Sequence, residues 1–500
     1  MRFLLTVLIA LLALTSATAV LGSPSTTDEL IHEVENDLLP ISAPKSELGR
    51  LANIRDRMKQ YGVPGLSLAV VADGRIAWAK GYGVADIRSN RAVTTDTLFQ
   101  AASISKSLTA VGALLLVERG KLRLDDDVNR HFTSWRIPPN TFTASHPVTL
   151  RTLLDHSAGL TDAVFDNYEP GQPLPTLWQV LDGEPPAHSP PIRVESVPGE
   201  QYSYSNSGYT VLQQLLVDAS GQPFEGFMQS EILRPMGMMH STFEEPLPES
   251  LLPSAATGHH AGGEPVPGGY RVSPELAVAG LWTTPSDIAG YIIQVQQWHA
   301  GRRGGLLSSQ LVSQMLSPQI AYAGLGVVIS GRGEGARFGH DGFNEGFESS
   351  MVGYIHHGEG AVVMANSGFA YMLIKEVLAS IAHVYHWPRY GSANQWPPSA
   401  SITQQEVAPV PRDMLSAAAG RYELDGDNVI RVFAKGGRLY MHWDHDGDAE
   451  IFRVPDGRYF CAPLTFSELG NPFLRLVLGA PNTVTEILAD EGRRVLRRIP

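Results

Sequence analysis

The sequence predicts an α+β fold: an antiparallel sheet flanked by helices, with an all-helical subdomain, followed by a small antiparallel β-barrel. Three observations predict it. A strand–turn–strand hairpin lies near the start, strands return from residue 323, and helical patterns with Pro-rich loops fill the stretch between them. After about residue 415 the pattern changes to short strands separated by glycine-containing turns. Strands on either side of a helical stretch are expected to form one sheet that the helices cover.

The first hairpin has the clearest strand signal. An apolar run at 66–72 and a second strand-like run at 75–80 flank Asp73-Gly74, a dipeptide that favours two-residue hairpin turns. The later strands of the sheet are predicted at 323–329, 349–355 and 360–366.

A buried helix is predicted after Ser103, because residues 108–118 are apolar nearly all round. Ser103 and Lys106 then share one face of the helix, about one turn apart, within the reach that a nucleophile and its proton acceptor need. The Ser103 N–H would lie at the positive end of the helix dipole, where a developing oxyanion is stabilised. The alternative is a capping serine followed by a solvated lysine. A second helix start is predicted at 284–287, with proline in the first turn.

Proton transfer from Ser103 to Lys106 requires a lysine whose pKa is lowered. An ordinary lysine, with a pKa of about 10.4, holds its proton at neutral pH and cannot accept one from serine. Burial or a neighbouring cation must lower that pKa. Tyr204 is a second candidate base, so the Ser103 proton is assigned to the Lys106/Tyr204 pair without a choice between them.

Two further motifs follow the Ser-x-x-Lys sequence. They are Tyr204-Ser205-Asn206 and His340-Asp341-Gly342. In this order the three resemble the signatures of serine hydrolases of the penicillin-binding-protein and class C β-lactamase superfamily. Residues 153–160 and 279–289 resemble further stretches of that superfamily, and the resemblance extends over residues 46–388. It implies a β-lactamase/transpeptidase-like fold.

The resemblance also implies roles for the site residues. Tyr204 would return a proton to the leaving group, and Asn206 would orient substrate amide groups and Lys106. The backbone N–H of Phe343 would be the second oxyanion donor, and Gly342 would keep the strand edge open to the substrate backbone. Taken singly, Tyr204 and Asn206 could be turn residues and His340 a loop histidine.

His156 lies outside the three motifs and is interpreted as a hydrogen-bonded scaffold residue rather than a catalyst.

His340 departs from the β-lactamase pattern, which usually has lysine at this position. An ammonium is a permanent cation suited to a substrate carboxylate, whereas an imidazole with a pKa near 6.5 is mostly neutral at pH 7. His-x-Gly occurs in some DD-carboxypeptidases and D-aminopeptidases of the superfamily. We therefore predict weak or absent β-lactamase turnover, and activity that changes near neutral pH if the charge of His340 matters.

The function predicted from these residues is that of an exported serine hydrolase acting through an acyl-enzyme on Ser103. A peptidase of DD-carboxypeptidase or D-aminopeptidase type, acting on a small-molecule or peptide substrate, is the leading hypothesis. A carboxylesterase or a β-lactamase on the same scaffold is the first alternative. A non-catalytic penicillin-binding or sensory module is the second.

Composition excludes several other classes. The chain has 500 residues, a 43% hydrophobic content ample for a large core, and a formal charge of −13 without a basic run. A nucleic-acid partner is therefore not expected. The single cysteine, Cys461, excludes an intramolecular disulfide and a cysteine-based metal cluster.

The acidic stretch 442–448 is interpreted as a hairpin tip, since Ala449 and Pro455 stand where a calcium loop needs glycine and glutamate. No metal or cofactor is predicted.

The N-terminus predicts export. Arg2, an apolar run at 3–14 and an Ala-x-Ala site ending at Ala19 describe a signal peptide at 1–19, so the protein would be secreted or periplasmic, with no membrane span after cleavage. An uncleaved anchor is the competing interpretation, because residues 3–22 are mostly apolar.

The expected organisation has four parts after the signal peptide. They are a leader segment at 20–45, the hydrolase domain at 46–388, a Pro-rich linker at 389–413 and a barrel of seven or eight strands at 414–500. The barrel resembles the lipocalin-like domain appended to some members of the superfamily. The oligomeric state is left open.

Overall fold

The described part of the chain comprises most residues between 26 and 499. The structure is a computed structural model. It describes residues 26–47, 49–161, 167–260, 263–302, 304–390, 405–423, 429–443, 447–462, 473–479, 483–489 and 494–499. The predicted signal peptide lies outside these residues. Among the described residues, none of the helices has the length and apolarity needed to cross a bilayer.

The strands belong to a large sheet, two short two-stranded pairs and a barrel. They are β1 (Ser42–Ala43), β2 (Gly65–Ala72), β3 (Arg75–Asp86), β4 (Arg91–Ala92), β5 (Phe99–Gln100), β6 (Trp282–Thr283), β7 (Val328–Ser330), β8 (Arg337–Asn344), β9 (Phe347–Tyr354), β10 (Gly360–Ala365), β11 (Gln405–Glu406), β12 (Gly420–Glu423), β13 (Val429–Lys435), β14 (Arg438–Trp443), β15 (Gly447–Arg453), β16 (Tyr459–Ala462), β17 (Phe473–Gly479), β18 (Thr483–Ala489) and β19 (Arg494–Ile499).

The helices lie mostly between β5 and β7 in the chain. They are α1 (Thr27–Asn36), α2 (Ile54–Tyr61), α3 (Ile104–Glu118), α4 (Leu150–Leu154), α5 (Leu177–Asp182), α6 (Asn206–Ser220), α7 (Phe224–Met228), α8 (Leu276–Ala279), α9 (Pro285–His299), α10 (Ser309–Met315), α11 (Tyr371–Val384) and α12 (Arg412–Ala418). Helix α9 begins where predicted, with Thr284 as its cap.

The large sheet is antiparallel, with strand order β4-β3-β2-β10-β9-β8-β7. The predicted hairpin is confirmed as β2 and β3. The predicted strand at 323–329 is largely wrong, because only its last two residues fall in β7. Strand β8 was not among the strands predicted for the sheet. Its sequence, Arg-Phe-Gly-His-Asp-Gly-Phe-Asn, has two glycines and no alternation of apolar and polar residues. The predicted α+β class is confirmed.

Apolar side chains cover both faces of the sheet. On one face, α3, α6 and α9 belong to the larger core, and Leu108, Val111 and Leu115 of α3 are buried in it. On the other face, α11 packs with α2 and with residues of α1. The all-round burial of α3 agrees with its apolar sequence and fixes its N-terminus against the sheet.

Residues 26–45, the described part of the leader expected at 20–45, contribute to the core. Helix α1 lies within this part, and Val34 and Leu38 are fully buried beside α11. The backbone N–H of Ile41 donates to Oε1 of Glu376 at 2.9 Å, and Arg57 binds the same buried carboxylate. A buried charge needs such partners, which gives this segment a structural role.

The C-terminal strands β12–β19 close into an antiparallel barrel. Its interior is filled by apolar side chains such as Ile430, Leu439 and Leu496, and α12 packs against them through Leu415 and Ala418. Strand β16 was not predicted. Residues 391–404 of the expected linker and 444–446 of the expected hairpin tip lie outside the described residues.

Candidate active site

Ser103 stands at the start of α3, directly after a strained turn. Ala102 has a φ of +49°, an unusual conformation for a residue other than glycine. Such strain costs on the order of 1–3 kcal/mol and persists only where the surrounding structure imposes it. The Ser103 side chain makes no capping hydrogen bond, so the alternative of a helix-capping serine is wrong. The turn instead leaves the hydroxyl free to face Lys106.

Lys106 lies one turn along α3 and is fully buried. Its Nζ is 3.0 Å from the Ser103 Oγ and donates to the carbonyl oxygen of Val278 at 3.2 Å. Burial lowers the lysine pKa to about 7, against the opposing effect of the Glu275 charge. The alternative of a solvated lysine is therefore wrong. The second hydrogen bond goes to a backbone carbonyl rather than to Asn206, which was expected to orient the lysine.

Tyr204 precedes α6 and lies beside the lysine. Its ring centroid is 5.0 Å from Lys106 Nζ and 6.1 Å from the ring of His340. It also stacks on His156, with ring centroids 4.4 Å apart and an interplanar angle of 27°. Asn206 is the first residue of α6 and half-buried, and Ser205 caps the helix by accepting from the N–H of Gly208. The structure thus brings Ser103, Lys106, Tyr204 and His340 into one cluster.

His340 lies on β8 and is buried. Its Nδ1 is 2.5 Å from the carbonyl oxygen of Asp341. Because a carbonyl can only accept, Nδ1 carries the proton and donates it. Burial and the nearby charge of Lys106 lower the His340 pKa to about 4. The imidazole therefore stays neutral between pH 5 and 8, so the expected change of charge near neutrality does not occur at this residue.

Gly342 is the point where β8 touches the turn before Ser103. A Cβ on this residue would lie 2.2 Å from the Ala101 carbonyl oxygen and 2.4 Å from the Ser349 Oγ. The absence of a side chain at Gly342 thus lets β8 lie close to Ala101. The expected role was different, namely to keep the strand edge open to the substrate backbone. Phe343 follows on β8, opposite Glu348 of β9.

The edge of β8 is free of β7 at this point. The pairing of β7 with β8 ends at Val328 and Gly339, so β7 does not extend alongside 340–344. Unpaired strand edges present backbone N–H and C=O groups. This part of β8 can therefore offer backbone groups to a bound molecule.

We expect Gly342→Ala to lower kcat/KM by about 10- to 100-fold, because the added methyl group pushes β8 away from the Ala101 carbonyl and misplaces the site. The rate of ester hydrolysis by purified protein measures this. Gly290→Ala is the matched control, since a Cβ there meets nothing within 4 Å and the residue lies inside α9. Unchanged activity in Gly342→Ala would contradict the argument.

The lysine pKa predicts a pH profile. We expect kcat/KM for a neutral ester to rise with pH through an inflection near 7, because Lys106 accepts a proton only when uncharged. Hydrolysis rates from about pH 5 to 9 check this. His340→Asn should keep the inflection, since His340 stays neutral over most of this range. Loss of the inflection in that variant would reassign it to the histidine.

Several groups around the lysine were not predicted from the sequence. The Val278 carbonyl gives no sequence signal, because every residue has one. Glu275, whose Oε1 accepts from the Thr210 hydroxyl at 2.7 Å, lies outside the motifs. Tyr209, with its ring 5.8 Å from Lys106 Nζ, could have been found from its place three residues after Asn206, on the same face of α6. Among the described residues, no group of His, Cys, Asp and Glu side chains is arranged to hold a metal ion.

A helix-covered antiparallel sheet with a Ser-x-x-Lys pair at the start of a buried helix defines the class of serine β-lactamases and penicillin-binding proteins. A family model of β-lactamases matches residues 51–379, more than half of the chain. The chain belongs to the β-lactamase family.

Several known proteins are similar to this chain. A β-lactamase of Pseudomonas fluorescens is 28% identical over 244 residues, which are 48% of this chain and 62% of that protein. The chain spans about half the length of the curated relatives it matches. The octameric penicillin-binding protein homologue from Pyrococcus abyssi has a similar fold, with a TM-score of 0.56 and 22% identity over 89% of this chain and 98% of that one. The D-amino acid amidase of Ochrobactrum anthropi SV3, solved with L-phenylalanine amide, gives a TM-score of 0.54 and 24% identity over 71% of this chain and 98% of that one.

Proposed function

We propose that the protein is a serine hydrolase that forms an acyl-enzyme on Ser103. The observation that carries this proposal is the 3.0 Å distance between the Ser103 Oγ and the Nζ of a fully buried Lys106. With a pKa of about 7, the lysine is uncharged in a large fraction of molecules at neutral pH and can accept the serine proton.

The remaining groups have proposed roles in the same reaction. Ser103 attacks the substrate carbonyl while the Lys106/Tyr204 pair takes its proton. The N–H groups of Ser103 and Phe343 stabilise the oxyanion. Tyr204 then protonates the leaving group, and Asn206 binds a substrate amide. In the second half, the same pair takes a proton from water, and the water oxygen attacks the acyl carbonyl. The bond between that carbon and the Ser103 Oγ breaks, and the pair returns the proton to the Oγ.

Within the peptidase hypothesis, we propose a substrate of D-aminopeptidase type rather than of DD-carboxypeptidase type. A carboxypeptidase substrate carries a free carboxylate next to the scissile bond and is best held by a cation. His340 is neutral at pH 7 because its pKa is near 4, so it supplies no positive charge there. An amide or peptide without a carboxylate at that position suits this site better.

The test compares three acyl donors at pH 7.5: D-alanine p-nitroanilide, an acyl-D-Ala-D-Ala peptide and p-nitrophenyl acetate. We expect the anilide to have a kcat/KM at least about tenfold above that of the D-Ala-D-Ala peptide, a difference of about 1.4 kcal/mol in transition-state binding. The reverse order would support a carboxypeptidase. Turnover of the ester alone would support a carboxylesterase, the second candidate, which the neutral site also accommodates.

Two further measurements, cephalosporin hydrolysis and labelling by fluorescent penicillin, test for a β-lactamase and for a non-catalytic module. We propose weak or absent β-lactamase turnover, again because His340 lacks the permanent charge of a lysine, and rapid cephalosporin hydrolysis would contradict this. A protein labelled by fluorescent penicillin that turns over none of the substrates would be a penicillin-binding module.

We also propose that the protein is exported to the periplasm or the medium after cleavage behind Ala19. The support is the sequence of residues 1–19. The mass of the mature protein tests it, since a chain that begins at Val20 agrees and one that retains residue 3 indicates an uncleaved anchor. We further propose a hydrolase domain at 46–388 and a lipocalin-like barrel domain at 414–500, joined by 389–413.

A further inference from the structure

His156 lies in a turn that holds the segment bearing Tyr204. Three backbone carbonyls of the turn accept N–H groups from that segment. The His156 carbonyl accepts from Ser203 at 2.8 Å, the Ser157 carbonyl from Gly199 at 2.7 Å, and the Gly159 carbonyl from Glu195 at 2.7 Å. The turn therefore acts as a template along which residues 195–203 are aligned.

The conformation of this turn is itself constrained. His156 has a φ of +61°, which is uncommon for a residue other than glycine, although histidine adopts it more often than most side chains do. Next to it, the buried Asp155 accepts from both the N–H and the hydroxyl of Ser157, at 3.1 and 2.6 Å. Strained backbone of this kind persists where the surrounding structure over-determines it, and such residues cluster at functional sites.

The imidazole of His156 continues the contact beyond the backbone. Its Nδ1 accepts from the N–H of Ser205 at 3.1 Å, so the ring proton is on Nε2. Its face stacks on the ring of Tyr204, with centroids 4.4 Å apart. The histidine thus binds the residue before Tyr204 through its carbonyl, the residue after it through its ring nitrogen, and the phenol ring through its face.

The ring remains uncharged in this setting. Burial, Lys106 and His340 lower the His156 pKa well below its ordinary value. A protonated ring would turn Nδ1 into a donor facing the Ser205 N–H, which is also a donor. The neutral state is thus the one compatible with the hydrogen bond.

We infer that His156 is a positioning residue that fixes the Tyr204 phenol beside Lys106 and Ser103 for proton transfer. This inference rests on the proposed function, because it assigns the histidine an effect on acylation through Tyr204. A positioning role and a purely structural role predict different results. If His156 positions Tyr204, removal of the His156 ring slows acylation only when the Tyr204 hydroxyl is present.

A double-mutant cycle with Tyr204→Phe tests this dependence. His156→Asn keeps a hydrogen-bond acceptor near the position of Nδ1 and tolerates a positive φ, but it removes the stacked ring. The readout is the second-order rate constant for labelling of Ser103 by a fluorescent fluorophosphonate, which is measurable even in slow variants. His156→Gly is the second variant, which tolerates the positive φ and also removes the stacked ring.

We expect His156→Asn to slow labelling at least about tenfold in the wild-type background and less than about twofold in the Tyr204→Phe background. Equal losses in both backgrounds, or no loss in the wild type, would overturn the inference. If His156→Asn does not fold, as judged by thermal unfolding, the same criteria apply to His156→Gly. The exposed His146, next to Ser145 on a surface turn, provides the control His146→Asn, with no expected change.

The outcome separates this inference from the proposed function. Labelling of the wild type without coupling between His156 and Tyr204 removes only the positioning role. A wild type that is not labelled at Ser103 removes the proposed function and the inference with it.

Discussion

Replacement of Ser103 by alanine should abolish hydrolysis and covalent labelling, lowering kcat by at least about 10⁴-fold, as expected when a nucleophile is removed from a unit of coupled residues. The physical reason is that the Lys106 amine, 3.0 Å from the Oγ, then has no hydroxyl to deprotonate. Intact-protein mass spectrometry after fluorophosphonate treatment measures the adduct directly.

Ser107→Ala is the matched control for this change. Ser107 is a buried serine on the same helix, and its hydroxyl donates to the Gly326 carbonyl at 2.7 Å. Its loss should cost about 1 kcal/mol of folding free energy and leave the labelling intact. Ser103→Ala protein that hydrolyses its substrate at the wild-type rate would show that the nucleophile has been assigned to the wrong residue.

Lys106→Met should lower kcat about 10³-fold, within the range that a general base contributes. The same change should raise the free energy of unfolding at pH 6, because a lysine that is fully buried is costly to keep protonated. Chemical denaturation at several pH values, together with hydrolysis rates, tests both effects.

The sign of the stability effect follows from the two pKa values. The folded-state pKa is about 7 and the ordinary value 10.5, so between these values the unfolded chain binds more protons than the folded one. The cost of the lysine is therefore full below pH 7 and is relieved as the pH rises toward 10.5. The stabilisation by methionine should be larger at pH 6 than at pH 9. Lys121→Met, at an exposed position, should change neither the hydrolysis rate nor the free energy of unfolding.

Local geometry explains which parts of the site could be predicted from the sequence. The Ser103–Lys106 contact depends only on helical spacing, and the apolar residues after it predicted a buried helix. Tyr204 and His340 have no local relation to Ser103, and their convergence was expected only from the resemblance to a known family.

The contacts that could not be predicted from the sequence depend on tertiary packing. The carbonyl of Val278 reaches Lys106 because α8 packs against α3, and the contact of Gly342 with Ala101 depends on how closely β8 approaches that turn. The charge state of His340 depends on its burial, which its flanking residues do not indicate. Helix α1 was assigned to a leader because its own sequence does not reveal that Val34 fits against α11.

The pairing of β1 with β11 has a consequence for the order of folding. Ser42 pairs with Gln405 in a short parallel ladder, so the loop that this ladder closes contains the whole helix-covered sheet. Long-range pairings of this kind are slow to form, because much of the chain must be ordered first. The N-terminal strand can find its partner only after synthesis has passed residue 405, and a chain that ends before that point leaves β1 with no strand to join.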